Sequence, residues 1–353
     1  MKITLTNKEI DKLRDIATKY EDYDFEVAKL LMGIAHRARP HGPYILSKLN
    51  QYKTLSTAIN YNSSIKDEIP VAERIDYYIG KGLSYPIENL KQFIKNEDNS
   101  SNKNKYIDAL CLYRQDIFRD KPIIGTYKKD INQFLELFDY KNYIPVLFGD
   151  DIKGNYSIPV FKKARRVNDI NGGIILKLNA IRHFANIGSD PMSWSEKIDD
   201  VVWRGVSTGE RAISNKRFLL VKKYSHKYNI AFNRIMQKND FFWTKNLGNL
   251  NCFIKESISV FGQLKYKYII SIEGNDVATN LKWILASNSV PIMPKPTVES
   301  WIMESKLIPY KHYVPLNDNL DNLDEVLQWC RDNDDKCRDI AENGKRYMNM
   351  FFN

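Results

Sequence analysis

The stretch "YKYIISIEGNDVATNLKWILASNSVPIMP", residues 266–294, decides the fold of this chain. It predicts a buried strand, a polar turn, a helix over 277–287 and a second short strand. The helix is predicted because apolar residues recur at the i, i+4, i+7, i+8 spacing of one helix face, namely Val277, Leu281, Ile284 and Leu285. A strand–helix–strand unit of this kind favours a parallel α/β sheet.

The turn at 273–276, "EGND", is more polar than a simple change of direction requires. In open parallel sheets, ligands bind beyond the carboxyl ends of the strands, which is where this turn lies. Gly274 would let a ligand approach the backbone closely, and the amides of Val277 and Ala278 would open the helix and face an anion. The alternative is that the turn supplies no more than an N-cap.

Length and charge narrow the class of protein. The chain has 353 residues, 43% of them hydrophobic, which is enough for two folded domains. Its formal net charge of +10 suggests an anionic partner: a nucleotide, a phosphorylated glycan, nucleic acid or an acidic membrane surface. The four cysteines form no CxxC pair, and no zinc-site spacing is present. With no apolar leader and no long apolar run apparent, we expect a cytoplasmic protein.

Strand-like and helical stretches alternate along most of the chain. Residues 1–105 have helical periodicity and end in a polar loop, "KNEDNSSNKNK". Strand candidates then follow at 143–151, 172–179 and 199–209, with an amphipathic helix at 214–228 and one or two closing helices near the C-terminus. This alternation predicts a parallel α/β sheet twice over.

A second polar turn supports a binding site at the sheet edge. In "VVWRGVSTGERAISNKR" a strand is predicted to end at Trp203, followed by Arg204, Gly205, Ser207 and Thr208. An arginine at a strand end can grip a diphosphate through two parallel hydrogen bonds, and hydroxyls with glycine amides can complete the cradle. P-loop and GxGxxG spacings are absent, so ATPase and NAD enzyme hypotheses are weak. The alternative is a solvated arginine in a turn.

A third element joins acids to a run of cations. In "VLFGDDIKGNYSIPVFKKARR", Asp150 and Asp151 end an apolar strand, and between residues 153 and 166 there are five cations and no acid. This run predicts a positive field for an anionic acceptor, carried by Lys162, Lys163, Arg165 and Arg166. A solvated basic loop is the alternative.

These blocks, in this order, resemble glycosyltransferase family 90, the capsule-associated and protein O-glucosyltransferase-like enzymes. The similarity runs from about residue 143 to 350 and is dense after 199. Animal relatives usually carry an arginine at the position of Asn280, so "EGNDVATNLKW" is closer to the bacterial branch labelled lipopolysaccharide biosynthesis. The resemblance implies a GT-B architecture, in which two Rossmann-like domains face a cleft.

The resemblance also implies domain bounds and residue roles. We expect a helical N-terminal region at 1–105, an acceptor-side domain at 106–197, a donor-side domain at 198–335 and a C-terminal helix at 336–353. Asp150 resembles the catalytic base, with Asp151 as its competitor, and Arg204 resembles the diphosphate-binding arginine. The expected donor-binding set is completed by Gly205, Ser207, Thr208, Glu273, Gly274, Asn275, Asp276, Val277 and Ala278.

The implied activity is inverting transfer of glucose or xylose from a UDP-sugar to a hydroxyl of a glycan acceptor, without a metal or other cofactor. The expected partners are a nucleotide sugar, a glycan or lipid-linked glycan and an acidic membrane surface at the inner face, but not nucleic acid. Three alternatives remain: a nucleic-acid-binding protein, an inactive glycan-binding relative and another sugar-nucleotide enzyme of GT-B fold. RNP, zinc-finger and helix-turn-helix signatures are not apparent, which disfavours the first.

Overall fold

The structure is a computed structural model, and it describes residues 5–20, 25–49, 69–80, 112–113, 146–147, 161–169, 173–177, 186–188, 190–209, 214–236 and 250–352. Within these ranges, no helix is long and apolar enough to cross a membrane.

Helices make up most of the described N-terminal part, as the sequence predicts. They are α1 (Asn7–Tyr20), α2 (Phe25–Ala38) and α3 (Val71–Ile79), and residues 43–49 are also helical. Short strands follow, namely β1 (Leu112–Tyr113), β2 (Val146–Leu147), β3 (Phe161–Lys162), β4 (Arg165–Arg166) and β5 (Ile174–Ile175). Strands β1 and β2 pair antiparallel, whereas β3 and β5 pair parallel. The second Rossmann-like domain predicted at 106–197 falls mostly outside the described residues and stays a prediction.

The main sheet has five parallel strands, in the order β11-β9-β8-β6-β7. They are β6 (Ile198–Val206), β7 (Asn229–Arg234), β8 (Tyr266–Ile270), β9 (Val290–Met293) and β11 (Val314–Pro315), and the two-residue strand β10 (Val298–Glu299) pairs with β4 outside this sheet. The α/β class predicted from the sequence is therefore confirmed for this part of the chain.

Helices connect the parallel strands and cover both faces of the sheet. They are α4 (Lys216–Tyr224), α5 (Val260–Leu264) and α6 (Asn280–Leu285), followed by the closing pair α7 (Leu323–Asp332) and α8 (Asp334–Asn349). Strand alternation sends Trp203 into the core that contains α4, α7 and α8 residues, and Val202 into the core that contains α5 and α6 residues. The central strand β8 is buried on both faces over residues 268–270, which explains the apolar sequence of this part of the strand.

Two predicted boundaries are corrected. Strand β6 does not end at Trp203 but continues through Arg204 and Gly205 to Val206, because its pairing with β7 continues over these residues. The helix predicted over 277–287 is α6 and begins only at Asn280, because Val277 instead packs in a small apolar cluster with residues from β10 and from the 161–169 segment.

Helix α3 packs against the C-terminal part of the chain. Tyr77 Oη donates to the carbonyl of Ser300 at 3.1 Å, and Tyr78 Oη donates to the carbonyl of Trp301 at 2.7 Å. Ile69, just before the helix, belongs to the same buried cluster as Trp301. Burial raises the pKa of Tyr78 to about 12.

Candidate functional site

The order of the strands locates a crevice at one edge of the sheet. Numbered by their order along the chain, the five strands lie as 2-1-3-4-5, so the chain leaves β6 in one direction to form β7 and returns to its other side to form β8. In doubly wound sheets this reversal opens a crevice beyond the carboxyl ends of the two strands, and ligands bind there. The crevice lies between the turn that follows β6, residues 207–209, and the turn that follows β8, residues 271–277.

Short polar contacts tie these two turns together. The amide of Gly209 donates to Asn275 Oδ1 at 3.0 Å, and within the second turn the amide of Gly274 donates to the carbonyl of Asp276 at 3.1 Å. Gly209 has a φ of +135°, a backbone conformation that residues other than glycine rarely adopt. A Cβ at Gly274 would lie 2.8 Å from Thr208 Oγ1, so both glycines are required by the geometry of the crevice.

Arg217, on the first turn of α4, lies under both turns and was not among the residues predicted from the sequence. Its Nη1 donates to the carbonyl of Val206 at 3.0 Å and to Thr208 Oγ1 at 2.7 Å. Its Nη2 donates to the carbonyl of Ile272 at 3.0 Å, and its Nε donates to the carbonyl of Glu273 at 3.2 Å. One guanidinium thus joins the end of β6 to the end of β8.

The N-cap of α4 fixes the first turn of the helix, which carries Arg217. Asn215 caps the helix, because its Oδ1 accepts hydrogen bonds from the amides of Arg217 and Phe218 at 3.0 and 3.2 Å. Burial lowers the pKa of Arg217 to about 10, and the nearby carboxylate of Asp276 acts in the opposite direction. The group remains a cation at neutral pH.

Glu273 holds the segment that leads into β10. Its Oε1 accepts from the amides of Thr297 and Val298 at 2.8 and 3.1 Å, and its Oε2 accepts from the Thr297 hydroxyl at 2.5 Å. Both carboxylate oxygens are therefore bound to protein groups, so the side chain orders the wall of the crevice. Asn280, at the start of α6, also faces inward and donates from Nδ2 to the carbonyl of Ile270 at 2.9 Å.

A pocket opens beside the second turn. It is lined by residues that follow β8 and β9, by residues just before α6 and by Glu304; among them are Ser271, Glu273, Val277, Ala278 and Lys295. Lys216, from α4, also lines it and forms an ion pair with Asp318 at 2.7 Å. Three residues of the expected donor-binding set, Glu273, Val277 and Ala278, thus lie in one pocket. Val277 and Ala278 precede α6, so their amides do not open the helix as the sequence predicted.

The other expected donor-binding residues near the end of β6 face protein groups. Ser207 exchanges hydrogen bonds with the backbone of Met236 at 2.8 and 3.1 Å, and a Cβ at Gly205 would lie 2.6 Å from the Trp203 ring. Arg204, inside β6, donates to the carbonyl and the side chain of Asn229 at 2.9 and 2.7 Å. Because Asn229 is the first residue of β7 and pairs with Val202, the Arg204 guanidinium points back from the strand ends.

The predicted anion region divides into two kinds of residue. Lys162 and Arg165 are buried, and Arg165 forms an ion pair with Glu299 at 3.3 Å and lies over the ring of Tyr77. They therefore do not present cations to solvent. Arg166 is exposed on β4, and Lys163 forms an ion pair with Asp276 at the crevice.

Asp150 and Asp151, the two candidate bases, lie outside the described residues, so their roles stay predictions. Among the residues that the structure does describe, no three His, Cys, Asp or Glu side chains come together as metal ligands would. The expected independence from metals also stays a prediction.

A doubly wound parallel sheet with polar turns at its switch point is typical of proteins that bind nucleotides and nucleotide-linked substrates. The chain matches the model of Glycosyl transferase family 90 over residues 175–353 and belongs to that family. It is 33% identical over 234 residues to "O-glucosyltransferase LpsA" of Dichelobacter nodosus, a match that covers 66% of this chain and 68% of the relative. It is 26% identical over 245 residues to "Protein O-glucosyltransferase 2" of Danio rerio, covering 65% of this chain and 46% of that protein. The resemblance inferred from the sequence is confirmed.

Proposed function

We propose that this protein transfers a sugar from a UDP-sugar to a hydroxyl group of a glycan acceptor, with inversion at the transferred carbon. The observation that carries the proposal is the switch-point crevice, which lies in the part of the chain that matches the family. Glucose is the favoured sugar, ahead of xylose, because the relatives from Dichelobacter nodosus and Danio rerio are named O-glucosyltransferases.

The crevice has the groups that a nucleoside diphosphate requires. Anionic oxygens would meet backbone amides of the turns at 207–209 and 273–278 other than those of Gly209 and Gly274, and the Arg217 cation lies directly beneath these turns. As the bond to the sugar breaks, negative charge grows on the leaving diphosphate, and fixed donors and cations stabilise it. We therefore propose that the reaction proceeds without a metal ion.

Asp150 is proposed as the general base. It would take the proton of the acceptor hydroxyl while the acceptor oxygen forms its bond to the sugar and UDP departs. In the proposed setting, the protein works in the cytoplasm, peripherally at the inner membrane face, on a lipid-linked glycan for lipopolysaccharide or capsule. The net charge of +10 supports contact with an acidic membrane surface.

An assay of UDP release from UDP-glucose and UDP-xylose, with and without EDTA, tests this proposal. We expect release from UDP-glucose that survives chelation. Asp150→Asn should lower turnover by about 10²–10⁴-fold while UDP affinity is kept, because a general base contributes about that factor.

Asp151→Asn is the matched control, because adjacent side chains of the predicted strand would point to opposite faces. If Asp151→Asn abolishes transfer and Asp150→Asn does not, the base is Asp151. Absence of UDP release from every UDP-sugar tested would refute the proposed activity.

A further inference from the structure

The segment 161–169 lies against the crevice although it precedes the family-matching region. Strand β4 pairs with β10, and the amide of Val167 donates to the carbonyl of Thr297 at 3.0 Å. Ala164 is fully buried in a cluster with Val277 and Val298, both of which line the crevice pocket. Main-chain and apolar contacts thus fix the backbone on both sides of Lys163.

Lys163 meets the second turn through an ion pair with Asp276. The side chains are only 11% and 15% exposed, respectively, so solvent screens the pair weakly. Asp276 also interacts electrostatically with Arg217. One carboxylate therefore lies close to two cations that come from different parts of the chain, at the carboxyl end of β8.

Among the residues that the structure describes, two cations, Lys163 and Arg217, lie near the one carboxylate of Asp276. The other carboxylate of the turn, Glu273, directs both oxygens to Thr297 and Val298, so it does not pair with Lys163. A lysine ammonium is a compact charge with rotatable donors that can bind a carboxylate and a phosphate oxygen together. It is also a common phosphate ligand in proteins.

We propose that Lys163 binds the phosphate groups of the nucleotide donor, and that Asp276 positions its ammonium for this contact. This inference rests on the proposed function and deepens it. It moves Lys163 from the acceptor side, where the sequence placed it, to the donor side. It also makes the donor site depend on a residue outside 175–353, the range that matches the family.

Calorimetric titration of UDP and of uridine tests this assignment. Lys163→Gln should weaken UDP binding by about tenfold or more, because a charged contact to phosphate is lost, and should leave the affinity for uridine unchanged. The loss should shrink as the salt concentration rises. Lys163→Arg, which keeps the charge, should retain UDP binding within a few-fold, and Lys163→Met gives a second neutral variant that keeps the apolar stem.

Lys267→Gln is the matched control. Lys267 lies at the amino end of β8, is 13% exposed and forms an ion pair with Asp334 at 2.6 Å, so the same charge is removed from a similar site at the opposite edge. We expect its UDP affinity to equal that of the unmodified protein.

Three outcomes would overturn the inference. Equal UDP affinity in the Lys163→Gln variant and the unmodified protein would refute it and leave the proposed function intact. An equal loss of UDP affinity in Lys163→Gln and Lys267→Gln would show that the net charge of the protein, and not a contact of Lys163 with phosphate, causes the loss. Absence of UDP binding to the unmodified protein would refute the proposed function, and the inference with it.

Discussion

The two arginines near the end of β6 make the same number of hydrogen bonds in different surroundings. Arg204 makes four, to the backbone of Trp203, Asn229 and Glu256 and to the Asn229 side chain. Arg217 also makes four hydrogen bonds, and these join the end of β6 and the turn that follows it to the turn that follows β8. Burial lowers the pKa of both, and that of Arg217 falls to about 10.

From this difference we expect that position in the strand order, more than the number of contacts, decides which arginine can serve an anion. Water can replace the Glu256 carbonyl as the partner of Arg204 Nε, because that contact is exposed, whereas the other three contacts are part-buried. The carbonyls held by Arg217 lie at the switch point and have no such substitute. The following substitutions test this contrast, from the largest expected effect to the smallest.

Arg217→Met should have the largest effect. The carbonyls at the ends of β6 and β8 would lose their donor, so we expect the free energy of unfolding to fall by about 3 kcal/mol, with UDP binding lost. Denaturant unfolding and calorimetry measure both. Arg204→Met is the matched control, and it should lower the free energy of unfolding by less than half as much. Equal losses of stability in the two variants would contradict the contrast between the two arginines.

Gly274→Ala should come next. The added Cβ would lie 2.8 Å from both Arg217 Cζ and Thr208 Oγ1, so the turn must shift, at a cost of about 1–3 kcal/mol in stability, and UDP affinity should fall. Gly33→Ala is the control, because its Cβ would meet nothing within 4 Å and helix α2 should gain stability. A Gly274→Ala protein as stable as the parent would mean that the turns are not tightly packed on Arg217.

Arg204→Lys should cost about 1 kcal/mol of stability, because a point charge replaces a planar fork that holds Asn229. Since its guanidinium points back from the strand ends, we expect UDP affinity to change by less than about twofold. The sequence-based assignment of Arg204 to the diphosphate requires a clear loss of UDP affinity instead, and calorimetry distinguishes the two.

Thr208→Val should have the smallest effect. It keeps the shape of the side chain and removes one acceptor of Arg217, so we expect a loss of about 0.5–1 kcal/mol in thermal or denaturant unfolding. A loss as large as that of Arg217→Met would mean that the hydroxyl, and not the backbone carbonyls, is the main partner of the guanidinium.

Local pattern was sufficient to predict the sheet around 266–294 and the polar turn at its centre. It did not predict that helix α6 begins three residues late, because that depends on Val277 packing against Ala164, far away in sequence. Arg217 carried a weak signal: it precedes Leu220 and Val221 by three and four residues and so shares their buried helix face. The ion pair of Lys163 with Asp276 had none, because tertiary contacts alone bring these residues together.

The contact of α3 with the C-terminal part of the chain bears on how this protein can be divided. A fragment that starts at residue 175 would keep the whole range that matches the family yet lack Ile69 and the tyrosines of α3. It would expose the apolar cluster around Trp301 to water and would leave the carbonyls of Ser300 and Trp301 without their tyrosine donors. A fragment intended for expression or crystallisation should therefore begin before Ile69, so that it keeps the helix that completes this core.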